Sequence, residues 1–305
     1  MQLYYFKDKE GNFGDDLNPW LWQQLFPDFF RADAAELFVG VGTLLNHRIP
    51  PAPAVTVFGS GHGYGQLPAI NANWKFYCVR GPLTAQALGL PAELAITDPA
   101  SLSAQLYAPA VEKHYKVSFM PHCESARLGD WETVCQQAGI HFLDPRKPFL
   151  QVFDGIRQTE LLLTEAMHGA ILADSFRVPW IPVKAYPHIS EYKWQDWLQS
   201  VQLTADFATI PPVWRGDQAA EKTVRLKNML KRTLQNTPLW RSGWGAPPPR
   251  QSARQHIDLV AARLTDIARL TPPHLSSNTV FSNNTIRLQE KVHQFKQDFG
   301  ICNGI

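Results

Sequence analysis

The residues with chemical potential in this sequence gather where short apolar runs end. Asn12-Phe13-Gly14-Asp15-Asp16-Leu17-Asn18-Pro19-Trp20 follows the opening apolar run and precedes a helical pattern. Ligands of open α/β sheets bind beyond the carboxyl ends of strands. Gly14 permits a tight backbone there, and amides at a helix start attract anions. Asn12 and Gly14 are therefore candidate substrate-binding positions, and Asp15 is a candidate general base or hydroxyl ligand. Capping of the helix is the competing role, more so for Asp16 than for Asp15.

Two Gly-rich strand ends follow, Gly40-Val41-Gly42-Thr43 and Gly59-Ser60-Gly61-His62-Gly63. Gly42, Gly59, Ser60 and Gly61 would let a ligand or a second backbone approach closely; tight strand-to-helix turns are the alternative. Neither stretch completes GxGxxG with an acidic residue downstream, so a dinucleotide site is not supported. In Val79-Arg80-Gly81-Pro82, Arg80 sits between a strand end and a helix start, suited to gripping a carboxylate or phosphate. The alternative is a structural ion pair with the Asp98 loop.

Glu165-Ala166-Met167-His168-Gly169 lies between the apolar run at 161–163 and an apolar helix. His168 at that helix start can donate to a phosphate oxygen or exchange protons; a satisfied buried histidine is the alternative. Glu165 and Gly169 flank it as donor-side candidates. Met120-Pro121-His122-Cys123-Glu124 also follows a strand, which directs His122 toward the same cleft. There is no HExxH, CxxC or HxH spacing, no GxSxG and no P-loop, so no metal or cofactor requirement is indicated.

The elements that position these residues alternate. Strands are expected at 2–6, 36–40, 54–58, 76–79 and 94–97, with helices at 18–26 and 82–88, forming one unit over 1–112. The pattern restarts with strands at 116–120, 140–143, 160–165 and 180–183 and helices at 130–138, 149–157 and 167–176, a second unit over 113–212. Such alternation predicts mostly parallel sheets covered on both faces. Lys193-Trp194-Gln195-Asp196-Trp197 opens an amphipathic helix suited to latching the two units, its tryptophans serving as packing. Residues 213–305 form a helical extension, with helices at 221–235, 253–270 (Ser252 as N-cap) and 285–299.

With 305 residues, 45% of them hydrophobic, the chain can build a large core. The four cysteines make no close pair and read as buried free thiols of a reducing compartment. The polar N-terminus and the absence of a long apolar run predict a cytoplasmic protein. Charge is uneven: residues 214–305 carry 14 Lys/Arg against 6 Asp/Glu, and residues 1–213 carry 15 against 21. The basic end is expected either to clasp the two units as a solvated helical strap or to touch anionic inner-leaflet lipid as a peripheral contact. No nucleic-acid motif accompanies it.

In order, NFGDDLNPW, GVGTLL, VFGSGHG, VRGPLT, TDPASL and EAMHGAILADSFRVPWIPV resemble the polysaccharide pyruvyl transferase family, in its exopolysaccharide, succinoglycan-type ketal-forming branch. The resemblance covers about residues 1–200. It implies two Rossmann-like domains in a GT-B-like arrangement, phosphoenolpyruvate as co-substrate with no further cofactor, and a sugar or lipid-linked oligosaccharide as acceptor. The implied product is a pyruvate ketal on two hydroxyls. In these terms Arg80, His122, Glu165 and Gly169 serve the donor, His168 is its proton donor, and Asp15 is the acceptor base. Some members carry Arg two residues before the histidine and in the second domain's first strand-end loop. Here Ala166 and the Met120–His122 segment stand there, which leaves the donor side poorer in positive charge. A GT-B glycosyltransferase, with Glu165 holding a ribose or sugar hydroxyl, is the alternative within the fold; a non-catalytic polysaccharide-assembly partner is the alternative outside it.

Overall fold

The computed structural model describes residues 1–107, 111–217, 222–235, 237 and 245–301. β1 (Gln2–Tyr4), β2 (Leu37–Val39), β3 (Val55–Phe58) and β4 (Trp74–Cys78) pair in parallel, in the order β1-β2-β3-β4. β2 and β3 are buried at every residue, which is why they are continuous apolar runs with little alternation. α1 (Phe13–Leu25) follows β1 and α2 (Pro82–Ala87) follows β4. A 3-10 turn at Pro99–Leu102 and the short α3 (Ser103–Leu106) complete this part.

The second sheet contains β5 (Tyr115–Met120), β6 (His141–Phe142), β7 (Thr159–Thr164), β8 (Trp180–Lys184) and β9 (Ala208–Thr209), all parallel, in the order β6-β5-β7-β8-β9. α4 (Cys123–Leu128), α5 (Trp131–Ala138), α6 (Phe149–Arg157), α7 (Met167–Ser175) and α8 (Glu191–Ser200) connect or follow its strands. Two parallel sheets clothed by helices make this an α/β protein with Rossmann-like units. After β9 come α9 (Lys222–Leu234), α10 (Arg254–Leu270) and α11 (Asn278–Asp298).

Several boundaries differ from expectation for local reasons. α1 begins at Phe13, well before residue 18, because the Asn12 side chain caps it by accepting from Gly14 N. Pro19 therefore lies inside the helix and cannot donate to the Asp15 carbonyl. Asn18 Nδ2 makes that bond instead, at 3.0 Å. Residues 94–97 are not a strand: only Ala95 bridges to Val79, and the preceding Ala92–Leu94 is a 3-10 turn. Ser252 does not cap α10; its hydroxyl accepts from Trp214 N. α11 starts at Asn278, earlier than residue 285, because Ser277 caps it through Val280 N.

The expected junction near 108–114 falls partly on residues outside those described. One apolar cluster nonetheless runs from α1 and the first sheet into α6, α7 and the second. Trp20 packs on Phe149 and Phe153 across it. Two helices of the basic extension cover these cores. α10 buries Ile257, Val260, Leu264 and Ile267 against the second sheet's cluster. α11 returns to the first, where the Phe295 ring lies 4.3 Å from that of Phe26 and 5.2 Å from that of Tyr77.

The other tie is polar. Arg80 and Asp196 are both fully buried and pair at 2.9 Å. Asp196 also accepts from Thr84 N at 2.9 Å and Thr84 Oγ1 at 2.6 Å. Arg80 further donates to Thr43 Oγ1 and to the His62 carbonyl, both at 2.8 Å. Removing one partner leaves an uncompensated charge without water. Asp196→Ala is expected to destabilise the protein by about 3–5 kcal/mol in denaturant unfolding. Because the pair is one unit, adding Arg80→Ala should cost less than a second such loss; simple additivity would contradict the coupling.

Candidate active site

The carboxyl ends of β1, β2, β5 and β7 open onto one cleft of about 600 Å3. It is lined by Asn12, Asp15, Thr43, Arg48, His122, Arg127, His168 and Lys193, among others. The geometry brings Asn12, Asp15, His122 and His168 together from sequence segments that lie far apart.

Asp15 sits in the first turn of α1, where Asn12 Nδ2 donates to its Oδ2 at 2.5 Å. It keeps one side open to the cleft and is enclosed by protein elsewhere. That burial raises its pKa to about 6, against the opposing pull of His168 and Lys193. Gly42 makes room for it: at φ +122°, a side chain there would be strained and would begin 3.2 Å from Asp15 Oδ1.

His168 stands at the start of α7 and reaches across the junction to α1. Its ring lies so close over Gly14 that a methyl at that position would meet Nδ1 at 2.0 Å. Gly14 is therefore a steric requirement of the cleft floor. On the other side, His168 Nε2 faces the fully buried Asp98 carboxylate at 3.7 Å. Asp98 Oδ1 caps the Pro99–Leu102 turn through Ala100 N, and Oδ2 has no hydrogen-bond partner among the described residues. A small closure would give an oriented His–Asp pair, with Nδ1 left on the Gly14 side.

Other expected site residues take different roles. Arg80 does not reach the cleft: its guanidinium is consumed by Asp196, Thr43 and His62, and its acidic partner is Asp196, with Asp98 serving His168 instead. Glu165 is fully buried and holds loops, accepting from His122 N at 3.2 Å and Ala185 N at 2.7 Å. Its burial raises its pKa. Gly169 gives clearance to Met120 and Thr164, Gly59 to Pro99, and Gly61 to the Arg80 guanidinium. Ser60 is buried, bonding Gly42 O and Leu44 N. These residues shape the cleft walls without lining them.

His122 lines the cleft as a neutral ring. Burial pushes its pKa down to about 3, with Lys193 and His188 adding to the fall. Its Nδ1 accepts from Glu124 N at 3.3 Å. It supplies no positive charge to a donor. His122, Glu124 and His188 offer ligand atoms within 4.8 Å of one another, a donor set able to hold a metal ion. Spacing rules miss it because the histidines sit after different strands.

The cleft's cations escaped the sequence reading. Lys193 is buried, and its ammonium donates to the Tyr64 hydroxyl at 2.8 Å. No carboxylate lies within ion-pair distance of it among the described residues. Arg48 lines the same space, whereas Arg127 is held by Asp8 and Glu10. The signal for Lys193 was its place one helical turn before Asp196, which directs both toward the junction.

A family model described as polysaccharide pyruvyl transferase matches residues 66–185. The succinoglycan biosynthesis protein ExoV of Rhizobium meliloti (strain 1021) is 45% identical over 221 residues, covering 71% of this chain and 70% of that protein. The chain belongs to the polysaccharide pyruvyl transferase family. It is thus an enzyme of that type, and the matched segment carries both Arg80 and His168. Among the described residues, no helix of this transferase is long and apolar enough to cross a membrane.

Asp15 has a measurable signature. Its folded pKa of about 6 exceeds the ordinary 3.8, so the ionised form is the destabilised one. Its contribution to stability is complete below pH 3.8 and is lost as pH rises to about 6. Asp15→Asn should therefore raise the melting temperature at pH 7.5 relative to wild type, and by much less at pH 4. Equal shifts at both pH values would contradict the buried carboxyl.

Proposed function

We propose that this enzyme transfers pyruvate from phosphoenolpyruvate to two hydroxyls of a sugar in a polysaccharide or its lipid-linked precursor, forming a ketal and releasing phosphate. The observation that carries the reading is Lys193, a buried side chain whose ammonium lines the cleft that holds Asp15 and His168 and, among the described residues, has no carboxylate within ion-pair distance. Such a charge calls for an anion. Phosphoenolpyruvate offers a carboxylate and a phosphate on a small skeleton, which Lys193 and Arg48 suit. The GT-B-like arrangement and a cytoplasmic setting belong to the same proposal. ExoV's name places that relative in succinoglycan biosynthesis; by analogy the acceptor here is a sugar of an extracellular polysaccharide.

Protonation of the donor's methylene carbon makes a methyl group and leaves an oxocarbenium-like centre. One sugar hydroxyl attacks that centre, the phosphate departs with its bridging oxygen, and the second hydroxyl closes the ring. Of the two hydroxyl protons, one balances the proton placed on carbon and one leaves with phosphate. His168, backed by Asp98, is the proton donor. Asp15, ionised above about pH 6, takes the hydroxyl proton. The glycosyltransferase alternative loses its proposed hydroxyl ligand, since the Glu165 carboxylate is buried among backbone amides.

Thermal melting discriminates between donors. Phosphoenolpyruvate at a hundredfold excess over its Kd should stabilise the enzyme by about 2.7 kcal/mol, and a nucleoside diphosphate should not. Lys193→Ala should abolish that shift. Asp15→Asn should keep it while lowering acceptor-dependent phosphate release by roughly 100-fold or more. In the wild type, kcat/KM should rise with pH through about 6. Stabilisation by the nucleotide but not by phosphoenolpyruvate would overturn the reading.

A further inference from the structure

The three helices of the basic extension differ both in charge, which is concentrated on α9, and in where their apolar strips point. α10 and α11 bury theirs. α9 has no buried residue. Its polar edge faces the body: Asn228 Nδ2 donates to Asp217 Oδ1 at 2.7 Å, Arg232 Nη1 to Asp217 Oδ2 at 2.5 Å, and Arg232 Nη2 to the Pro248 carbonyl at 2.7 Å. Leu226, Met229 and Leu230, at the i, i+3, i+4 spacing of a single helical face, are 55%, 54% and 53% exposed. A helix normally turns such a strip inward; here side-chain bonds on the opposite edge hold it outward.

The charge on α9 narrows what can cover that strip. Lys222, Arg225, Lys227, Lys231 and Arg232 lie within Lys222–Leu234, which contains no acidic residue. A second copy of the same helix would bring like charges together. A cavity of about 480 Å3 at its base is lined by Arg225, Arg232, Arg250, Met229 and Asp217, so three guanidinium groups, one of them paired with the Asp217 carboxylate, meet an apolar side chain in one recess. An apolar strip flanked by cations matches one kind of surface, in which acyl chains lie under anionic phosphates.

We propose that α9 is an interfacial helix that lays Leu226, Met229 and Leu230 into an anionic phospholipid surface, with Lys222 and Lys227 meeting headgroup phosphates. The contact belongs to this one helix and not to the basic extension as a whole. It is independent of the chemistry in the cleft.

Sedimentation of the full chain with phosphatidylcholine vesicles, with and without phosphatidylglycerol, tests this. At low salt the chain should pellet only with the anionic vesicles, and high salt should release it. Leu226→Ser with Leu230→Ser, and separately Lys222→Gln with Lys227→Gln, should each weaken binding roughly tenfold or more. Both variants should keep the wild-type melting temperature and the activity on a soluble acceptor. Three results would overturn the proposal: no binding to anionic vesicles at low salt, unchanged binding by either variant, or leucine-dependent self-association without lipid in analytical ultracentrifugation.

Discussion

A guanidinium fully shut off from water must be met by an anion, and the architecture follows from how Asp196 meets Arg80. Arg80 leaves the end of β4; Asp196 lies on α8, between β8 and β9 of the second sheet. Their pairing fixes the start of α2 through Thr84 and two loops of the first unit through Thr43 and His62. It also sets the roll of α8 about its axis. Lys193 lies one turn before Asp196 on the same side, so the bond that ties the two units also aims an ammonium into the cleft. Arg80 thus acts on the cleft from outside it, by holding a cation in place.

The cleft itself rests on close approach and dehydration. Gly14 lets the His168 ring touch the acidic loop, and Gly42 leaves space for the Asp15 carboxylate. The same crowding removes water from Asp15 and raises its pKa toward the range where it can exchange protons. His168 is framed by a buried carboxylate and His122 is held neutral, so the groups are differentiated by environment more than by type. Such placement acts without rearrangement when charge develops on a bound substrate.

Most of the fold was legible because its signals are local. Apolar runs ending in glycine marked β2 and β3, and the restart of the pattern marked the second parallel sheet. Where expectation and structure part, side chains had replaced backbone signals: Asn18 supplies the bond Pro19 cannot donate, so a proline expected near a helix start lies inside it. Site residues divided in the same way. His122 and His168 closely follow β5 and β7, Asn12 and Asp15 follow β1 after a loop, and strand ends point into the cleft. Arg80 and Glu165 also stand at strand ends, yet their partners come from segments remote in sequence, Asp196 and the amides of His122 and Ala185. Nothing in the residue types distinguishes an arginine that grips a ligand from one that grips a distant aspartate. Lys193 stands directly before Trp194, and the packing role of Trp194 and Trp197 masks it in the sequence.

The helices of the extension serve different ends. α10 spaces Ile257, Val260, Leu264 and Ile267 to match an uncovered face of the second sheet's core. α11 inserts Phe295 among the aromatic rings of the first. Between them the chain crosses the junction, where His274 exchanges backbone bonds with Trp180 at 2.8 and 3.0 Å, and Asp174 accepts from Ser276 N at 2.7 Å. Opening the cleft would strip α11 from its aromatic seat or break these bonds, in addition to exposing Arg80 and Asp196. The dehydration that tunes Asp15 is therefore a property of the assembled chain before any substrate arrives, and the clasp made by α11 is part of what maintains it.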